Sequence, residues 1–302
     1  MDQSTAFVPG HVSGFFEIND DSDDLMKVGS RNCGVCISKG VKTRVEVHED
    51  LPSKIEIFIN GELREADTTR EVVKNLLKMK NDEFCVKVNH EVQSPIGVGY
   101  GMSGAGALGA SLTLSKVLDL DLSSNVAAAV AHKAEVKCKS GLGDVFPQKL
   151  GGMVLSVEPG VPPYGELEEI GIDEELQLVI GTLGSVSTSD TLESQTIREN
   201  SKTFGRDAFD VFSSDKSLQN FMRVSKNFGE NLGIFDDDFM DILEYLSFKS
   251  PYGAAIALLG RSIFSPVREH QVEKVENYYR EYFEENQIIN TDIDFLGARI
   301  IE

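Results

Sequence analysis

The sequence predicts a mixed α+β protein in which a glycine-rich loop joins a strand to a helix. Apolar residues recur at alternate positions within 41–47 and again within 55–59, which is the pattern of half-exposed strands. Residues 68–79 carry apolar side chains at helical spacing, and a further β-type run at 84–92 leads directly into the glycines. Strands and helices therefore share the first half of the chain, with the loop between them.

The strands before the loop are predicted from alternation and turn residues. Residues 5–18 predict two short strands that are separated by a turn at Pro9-Gly10-His11. The pair Asn60-Gly61 predicts a hairpin turn at the end of the strand at 55–59.

The chain after the loop predicts more helix than strand. Ser123 and Ser124 can cap a helix that runs from 125 to 138. A buried strand is predicted at 176–183, and the polar turn at 184–189 is suited to lining a cleft. The remaining predicted elements are helices at 204–212, 217–232, 237–246 and 267–283, a strand pair within 253–264 and a closing strand at 300–301.

The glycine-rich loop predicts a binding site for phosphate groups. Six glycines fall between positions 97 and 109, immediately before a helical run. Backbone without Cβ atoms can turn tightly and direct several N–H groups at one anion. The helix that is predicted to begin near Ser103 adds unsatisfied N–H groups and a positive dipole end. We therefore expect a nucleotide as the ligand.

Residue spacing separates three kinds of phosphate loop. A Walker loop requires Gly-Lys before Ser or Thr, and Gly-Lys occurs nowhere in the chain. Gly99, Gly101 and Gly104 match the dinucleotide fingerprint, but the second strand that ends in an acidic residue is missing. The remaining pattern begins at Pro95 and ends in Ser103-Gly104-Ala105-Gly106. It resembles the ATP loop of the kinase superfamily that includes galactokinase, homoserine kinase, mevalonate kinase and phosphomevalonate kinase.

Two carboxylates after the loop are candidates for chemistry. Glu135 lies on the helix at 125–138, three residues after His132, and Asp144 follows nine residues later on a glycine-containing loop. Two carboxylates so placed can share a Mg²⁺ ion, or one can bind the metal while the other takes a proton. Glu135 could instead pair with Lys139 four residues on, and Ser103 could serve only as a helix cap.

Charge and composition limit the kinds of molecule that the protein is expected to bind. Of 302 residues, 41% are hydrophobic and the formal net charge is −20, which argues against a nucleic-acid partner. No apolar run approaches the roughly 18–20 residues of a membrane span, and the first residues lack the features of a secretion signal, so we expect a cytoplasmic protein without a membrane partner. Cys33 and Cys36 form one C-x-x-C pair, but no second half-site completes a metal site, so all four cysteines are predicted to be reduced, mostly buried thiols.

Three segments narrow the resemblance within the superfamily: residues 8–16, residues 29–35 and the stretch from His132 to Val145. Together they resemble the archaeal pantoate kinases, which phosphorylate (R)-pantoate to 4-phosphopantoate in coenzyme A biosynthesis. The resemblance implies a two-domain small-molecule kinase fold. Its N-terminal ribosomal-S5-like domain would span residues 1–168, and its C-terminal ferredoxin-like domain would span residues 169–302.

The same resemblance implies roles for individual residues. Asp144 would orient or deprotonate the pantoate hydroxyl, while Ser103 and Glu135 would hold Mg²⁺. Ser30 and His132 would contact pantoate, and Arg31 would assist with its carboxylate. The residues implied in ATP binding are Pro95, Gly97, Gly99, Gly101, Ser103, Gly104, Ala105 and Gly106.

The sequence departs from the superfamily motifs at two positions, and it leaves alternative functions open. His11 stands where many members of the superfamily have a lysine, so it is either a phosphate contact or a turn residue. Ser156 stands where pantoate kinases often carry a basic residue. A mevalonate-type kinase, or another small hydroxy-acid kinase, would share the loop and Asp144 but lack the pocket of Ser30 and His132. A non-catalytic ligand sensor would be expected to lose Asp144 or the glycines, and a homodimer remains open.

Overall fold

The computed structural model describes residues 2–48, 53–80, 84–185, 191 and 193–302, and it contains two β-sheets with helices packed on them. The α+β prediction is confirmed. The strands are β1 (Asp2–Asn19), β2 (Gly29–His48), β3 (Lys54–Ile59), β4 (Glu62–Leu63), β5 (Cys85–Val92), β6 (Met153–Glu158), β7 (Glu166–Ile170), β8 (Leu176–Gly184), β9 (Ala255–Ala257), β10 (Arg261–Arg268), β11 (Ile288–Asp292) and β12 (Arg299–Ile300). The helices are α1 (Asp67–Lys80), α2 (Met102–Val117), α3 (Ser124–Lys137), α4 (Val145–Leu150), α5 (Gln195–Ser214), α6 (Leu218–Leu232), α7 (Asp237–Lys249) and α8 (Val272–Tyr279).

The larger sheet is organised around β1 and β2, which pair with each other along almost their whole length. Its order is β12-β1-β2-β5-β3-β4, and β3 runs parallel to β5. The second half of β2 pairs with β5, whereas its first half pairs with β6, which in turn pairs with β7. The sheet therefore divides along β2, and the residues at the start of β2 lie beside β6.

Helices cover both faces of this sheet. Helix α2 packs on β1 and β2 and contacts α1 and α3, while α5 and α6 pack on β1. Strand β1 is consequently buried along nearly all of its length instead of alternating between buried and exposed residues. The smaller sheet has the order β11-β8-β10-β9.

The predicted turn at Pro9-Gly10-His11 is wrong, because β1 runs through it as one continuous strand. The pairing with β2 shifts register between Val8 and Gly10, and again between Ser13 and Phe15. A bulge accommodates a proline, which has no N–H to donate, without ending the strand. His11 is therefore a buried strand residue.

Most of the other predicted elements are confirmed within a few residues. The strand at 176–183 is β8, the hairpin turn at Asn60-Gly61 joins β3 to β4, and the strand pair within 253–264 is β9 and β10. The predicted helix at 267–283 is too long, because its first residues complete β10 and the helix begins only at Val272. Of the predicted polar turn at 184–189, residues 186–189 lie outside the described residues.

The predicted domain boundary falls inside β7, which belongs to the larger sheet, and β12 returns from the end of the chain to pair with β1. The division into residues 1–168 and 169–302 stays a prediction. Cys33 and Cys36 are buried, and Cys85 and Cys138 are half-buried free thiols. Within the described ranges, none of the helices is long and apolar enough to span a bilayer.

Candidate active site

A cleft of about 290 Å³ lies where the glycine loop, the loop at 138–144, the second half of β1 and the start of β2 meet the turn between β9 and β10. Asp144, Ser103 and Ser30 all line it. The sequence predicts these three residues in one site, and the fold brings them together.

The glycine loop and helix α2 form one wall of the cleft. Gly97, Gly99 and Gly101 have positive φ angles of 78°, 91° and 64°, which strain residues with a side chain. Helix α2 begins at Met102, and its cap Gly101 has no side chain to bond the first N–H groups. This helix terminus therefore keeps the N–H groups that an anion would accept. Ser103 is not the cap; it is exposed and lines the cleft, and its hydroxyl donates to Thr68 at 3.5 Å, which leaves the oxygen lone pairs as acceptors.

The second sheet holds this loop in place. The Ser262 hydroxyl donates to the carbonyl of Val98 at 2.9 Å, and the Tyr100 hydroxyl is hydrogen-bonded to Thr182. The backbone N–H of Leu258 donates to the carbonyl of Ser13 at 3.1 Å. Strands β8, β9 and β10 are therefore part of the framework of the cleft.

Glu135 is completely buried below the loop, and neither of its carboxylate oxygens has a hydrogen-bond partner among the described residues. Burial raises the pKa of Glu135 well above its ordinary value, and the negative charge of Asp144 raises this pKa further. The alternative partner Lys139 instead contacts Glu193, with 2.6 Å between Nζ and Oε1. Glu135 is thus not part of an ordinary surface salt bridge.

A third unpaired oxygen lies beside Glu135. Gln148 donates from Nε2 to the carbonyl of Gly101 at 2.8 Å, which fixes the amide so that Oε1 faces away. This Oε1 atom has no partner among the described residues. A Cβ atom on Gly104 would lie 2.8 Å from Glu135 Oε1 and 3.0 Å from Gln148 Oε1. Buried oxygens that converge without donors fit a hard cation such as Mg²⁺.

Asp144 stands at the start of the short helix α4 and is partly exposed to the cleft. Its Oδ1 atom lies 2.8 Å from Nδ1 of His11, whose side chain is fully buried. Neither of the two predicted roles of His11 foresaw this contact. His11 is neither a turn residue nor a residue of the cleft lining, but the direct partner of the candidate base.

Ser30 and His132 lie in different layers of the site. The Ser30 hydroxyl accepts from Nδ2 of Asn32 at 3.0 Å and faces the cleft. The ring of His132 lies behind Ser30, across an internal cavity of about 10 Å³, and Nε2 donates to the carbonyl of Val28 at 2.9 Å. Burial lowers the pKa of His132, so the ring is neutral at neutral pH. His132 is not among the described lining residues of the main cleft.

Arg31 is not brought to the cleft. Successive residues of a strand point to opposite faces, so Ser30 and Asn32 share one face of β2 and Arg31 occupies the other. Its Nε atom donates to Glu17 at 2.7 Å, and its guanidinium lies over the ring of Phe209, 4.2 Å from the centroid. The position where the resemblance led us to expect a basic residue, Ser156, donates to Asn32 at 3.5 Å.

A second cavity of about 200 Å³ adjoins the cleft at the start of α2. Met102 and Ser103 line both cavities, and the second also contains Val92, Thr69 and Ile59. Most of its lining surface is apolar, and Glu65, Asp67 and His90 also contribute to the lining. The phosphate-binding loop therefore lies between two cavities.

The functional residues that the sequence analysis missed are His11 as the partner of Asp144, together with Asn32 and Gln148. Asn32 could have been found from alternation, because it lies two residues after Ser30 on the same strand face. Gln148 lies four residues after Asp144, which is one helical turn, but nothing in the sequence indicates a helix as short as α4.

Comparison with known proteins identifies the family of this chain. The family model for the N-terminal domain of GHMP kinases matches residues 67–152. The chain is 31% identical over 270 residues to the pantoate kinase of Methanocaldococcus jannaschii, covering 88% of this chain and 94% of that protein. The pantoate kinase of Thermococcus kodakarensis is 30% identical over 275 residues, covering 90% of each chain. The chain belongs to the pantoate kinase family.

Solved structures of small-molecule phosphotransferases share the fold of this pantoate kinase family member. A phosphotransferase related to the coenzyme A biosynthesis pathway superposes with a TM-score of 0.89 at 27% identity, over 99% of this chain and 98% of that one. A homoserine kinase from Cytophaga hutchinsonii superposes with a TM-score of 0.74 at 14% identity, over 100% of this chain and 98% of that one, and shows the fold alone. The predicted small-molecule kinase fold is confirmed.

Proposed function

We propose that this protein transfers the γ-phosphoryl group of ATP to the 4-hydroxyl of (R)-pantoate and releases 4-phosphopantoate and ADP. Relatives named pantoate kinase match almost the whole chain. The observation that carries the proposal is the single cleft in which Asp144 and Ser30 face the uncapped start of α2. A phosphate group, a proton acceptor and an alcohol can meet only where these three features meet.

The two cavities indicate how ATP is oriented in the site. The phosphates bind the N–H groups of the glycine loop and α2, because an anion is stabilised at a helix N-terminus. The nucleoside occupies the smaller, largely apolar cavity, and the γ-phosphate reaches the cleft that contains Asp144. The predicted ATP-binding residues from Pro95 to Gly106 then surround the phosphates.

Ser103 and Glu135 are the residues that would hold Mg²⁺ between the nucleotide and the protein. The unpaired oxygens of Glu135 and the exposed hydroxyl of Ser103 supply hard ligands, which suit this ion. When bound, the ion neutralises charge on the phosphate oxygens during transfer.

Asp144 is the proton acceptor in this proposal. As the pantoate hydroxyl oxygen bonds to the γ-phosphorus, its proton passes to the Asp144 carboxylate and the bond from phosphorus to the ADP oxygen breaks. A positioned base of this kind contributes roughly 10²- to 10⁴-fold to the rate. No other described carboxylate lines the cleft.

Pantoate binds beside Ser30, and His132 supports the pocket from behind by fixing the start of β2 through Val28. Lys139 is the one cationic residue among the described residues of the lining, so we assign it to the anionic groups of the bound substrates. It replaces Arg31 in the role of carboxylate partner, because Arg31 lies on the other face of β2.

The test is a panel of small hydroxy acids assayed for ADP release, with the product identified by phosphorus NMR. We expect pantoate to give a phosphate ester at its 4-hydroxyl. Ser30→Ala should raise the KM for pantoate more than the KM for ATP, since Ser30 is remote from the nucleotide cavity. Absence of phosphoryl transfer to pantoate, with transfer to another acid of the panel, would refute the proposal.

A further inference from the structure

His11 connects the two loops that form the cleft. Its backbone N–H donates to the carbonyl of Tyr100 at 2.9 Å, and its Nδ1 atom lies 2.8 Å from Oδ1 of Asp144. One residue of β1 therefore bonds both to the phosphate loop and to the proton acceptor. Resting on the proposed function, we propose that His11 is a positioning residue for phosphoryl transfer, which acts by orienting the Asp144 carboxylate.

The hydrogen bonds of the ring determine which nitrogen carries the proton. An ionised carboxylate only accepts hydrogen bonds, so Nδ1 of His11 is the donor to Asp144. Nε2 is buried and has no partner among the described residues. A proton on Nε2 would bury an unsatisfied N–H group, which is costly. The consistent form is therefore a neutral ring that is protonated at Nδ1 and bare at Nε2.

The surrounding sheet prevents the ring from turning away. The His11 side chain is fully buried, and Gly34 on the neighbouring strand β2 faces it. A Cβ atom at position 34 would lie 2.4 Å from His11 Nε2, so the ring fills the space that a side chain would occupy. The carboxylate of Asp144 is thus held by a partner that cannot itself move.

This arrangement assigns different roles to the two oxygens of Asp144. Oδ1 accepts the hydrogen bond from His11, which leaves Oδ2 to take the proton of the substrate hydroxyl. The bond from His11 to Tyr100 fixes the glycine loop relative to the same carboxylate. The distance between the bound phosphate and the proton acceptor therefore depends on His11, and small errors in such distances can slow catalysis by about 10²-fold.

A double-mutant cycle tests whether His11 acts through Asp144. His11→Ala keeps the backbone bond to Tyr100 but removes the donor, and His11→Asn restores an N–H donor near the position of Nδ1. We expect His11→Ala to lower kcat by roughly 10- to 100-fold with KM values for both substrates nearly unchanged, and His11→Asn to recover most of the loss. In the Asp144→Asn background, His11→Ala should have no further effect on kcat.

A matched control separates positioning from lost packing. Val8→Ala removes buried side-chain volume from the same strand without contacting Asp144, so it should lower Tm and leave kcat unchanged well below Tm. Equal losses of kcat from His11→Ala in both backgrounds, or no rescue by His11→Asn in a folded protein, would overturn the proposal.

A second measurement needs no substrate and keeps the two proposals separate. Nitrogen NMR of histidine-labelled protein should show a His11 ring that is protonated at Nδ1 and bare at Nε2. A ring protonated at Nε2 overturns the positioning role, even if pantoate is the substrate. A wild-type protein with this tautomer and no turnover of pantoate refutes only the proposed function.

Discussion

At the scale of single residues, Glu135 and Asp144 show how two neighbouring carboxylates acquire different environments, which suit the different roles proposed for them. The carboxylate of Glu135 is buried without a hydrogen-bond partner among the described residues, and this burial raises its pKa. Asp144 is partly exposed and bonded to His11. Without a bound cation Glu135 holds its proton more tightly than an ordinary carboxyl group, whereas Asp144 faces the cleft and accepts a hydrogen bond from His11.

Asp144→Asn should leave the fold intact, because the amide has the shape of the carboxyl group and occupies a partly exposed position. We expect kcat to fall by roughly 10²- to 10⁴-fold, which is the range for loss of a positioned base. Steady-state kinetics with pantoate and ATP measure this effect. The exposed Asp121→Asn serves as the control, and an Asp144→Asn enzyme with near-normal kcat would remove Asp144 from the mechanism.

The raised pKa of Glu135 predicts how stability changes with pH. The folded state binds this proton more tightly than the unfolded state, so stability is lost as pH rises above the ordinary carboxyl range towards the folded pKa. Without Mg²⁺, Glu135→Gln should therefore raise Tm near pH 8, by roughly 2–4 °C for each kcal/mol, and the gain should shrink towards pH 4.

Glu71→Gln is the control of opposite sign, since hydrogen bonding to Lys137 lowers the pKa of Glu71. It should lower Tm or leave it unchanged near pH 8, because an exposed ion pair contributes little to the free energy of unfolding. A Glu135→Gln protein that is less stable than wild type at pH 8 would contradict this explanation of the raised pKa of Glu135.

Ser103→Ala and Glu135→Gln should both weaken the apparent affinity for Mg²⁺, because each removes a proposed oxygen ligand of the ion. A titration of activity with Mg²⁺ measures this affinity. Unchanged titrations in both variants would refute the proposed metal site.

At the scale of elements, the close contact between α2 and α3 depends on small residues. Two glycines of α2 provide a matched pair. A Cβ atom on Gly104 would come within 2.8 Å of Glu135 Oε1, whereas the nearest atom to a Cβ on Gly106 is a ring carbon of His90 at 3.4 Å. Alanine favours helix over glycine by up to about 1 kcal/mol when nothing obstructs it.

Gly106→Ala should therefore keep or raise Tm, and Gly104→Ala should displace Glu135 and weaken the binding of Mn²⁺ used as a probe for Mg²⁺. Thermal unfolding and calorimetric titration with Mn²⁺ and ATP measure the two effects. Equal behaviour of the two variants in both experiments would show that the space around Gly104 is not part of the cation site.

Strand β1 is continuous where the sequence predicts a turn, and this difference shows which features of the fold cannot be predicted from neighbouring residues alone. The glycine loop, the helix of Glu135 and the loop of Asp144 follow from nearby residues, because turns, caps and helical spacing are local properties. Pro9-Gly10 has the local composition of a turn, but pairing with β2 along both halves of β1 overrides it. Arg31 is misplaced for a related reason, since only the register of β2 decides which face it occupies.

At the scale of the whole molecule, the cleft depends on both sheets and lies in a strongly acidic protein. Ser262 and Thr182 of the smaller sheet bond to Val98 and Tyr100 and so hold the glycine loop, which α2 and β1 contact on the other side. The formal net charge is −20, so the overall field repels anionic substrates. The proposed function therefore assigns the binding of these anions to local N–H groups, Lys139 and a metal ion.

This charge distribution predicts an unusual response to salt. Raising ionic strength from about 10 mM to about 100 mM shortens the Debye length from about 30 Å to about 10 Å. Long-range repulsion is then screened more than the short contacts in the cleft, so the KM for ATP should fall or stay constant at saturating Mg²⁺. Initial rates across a potassium chloride series measure this, and a steep rise in KM would indicate a basic surface that the sequence lacks.

The most direct measurement of the central claim compares kcat/KM for pantoate, pantothenate and mevalonate under the same conditions. Pantothenate carries an amide where pantoate carries a carboxylate, so a site with a cationic or N–H donor for that anion would leave the donor poorly paired. We expect kcat/KM for pantoate to exceed both other values by at least about 10²-fold. An equal or higher kcat/KM for pantothenate or mevalonate would contradict the assignment of pantoate as the substrate.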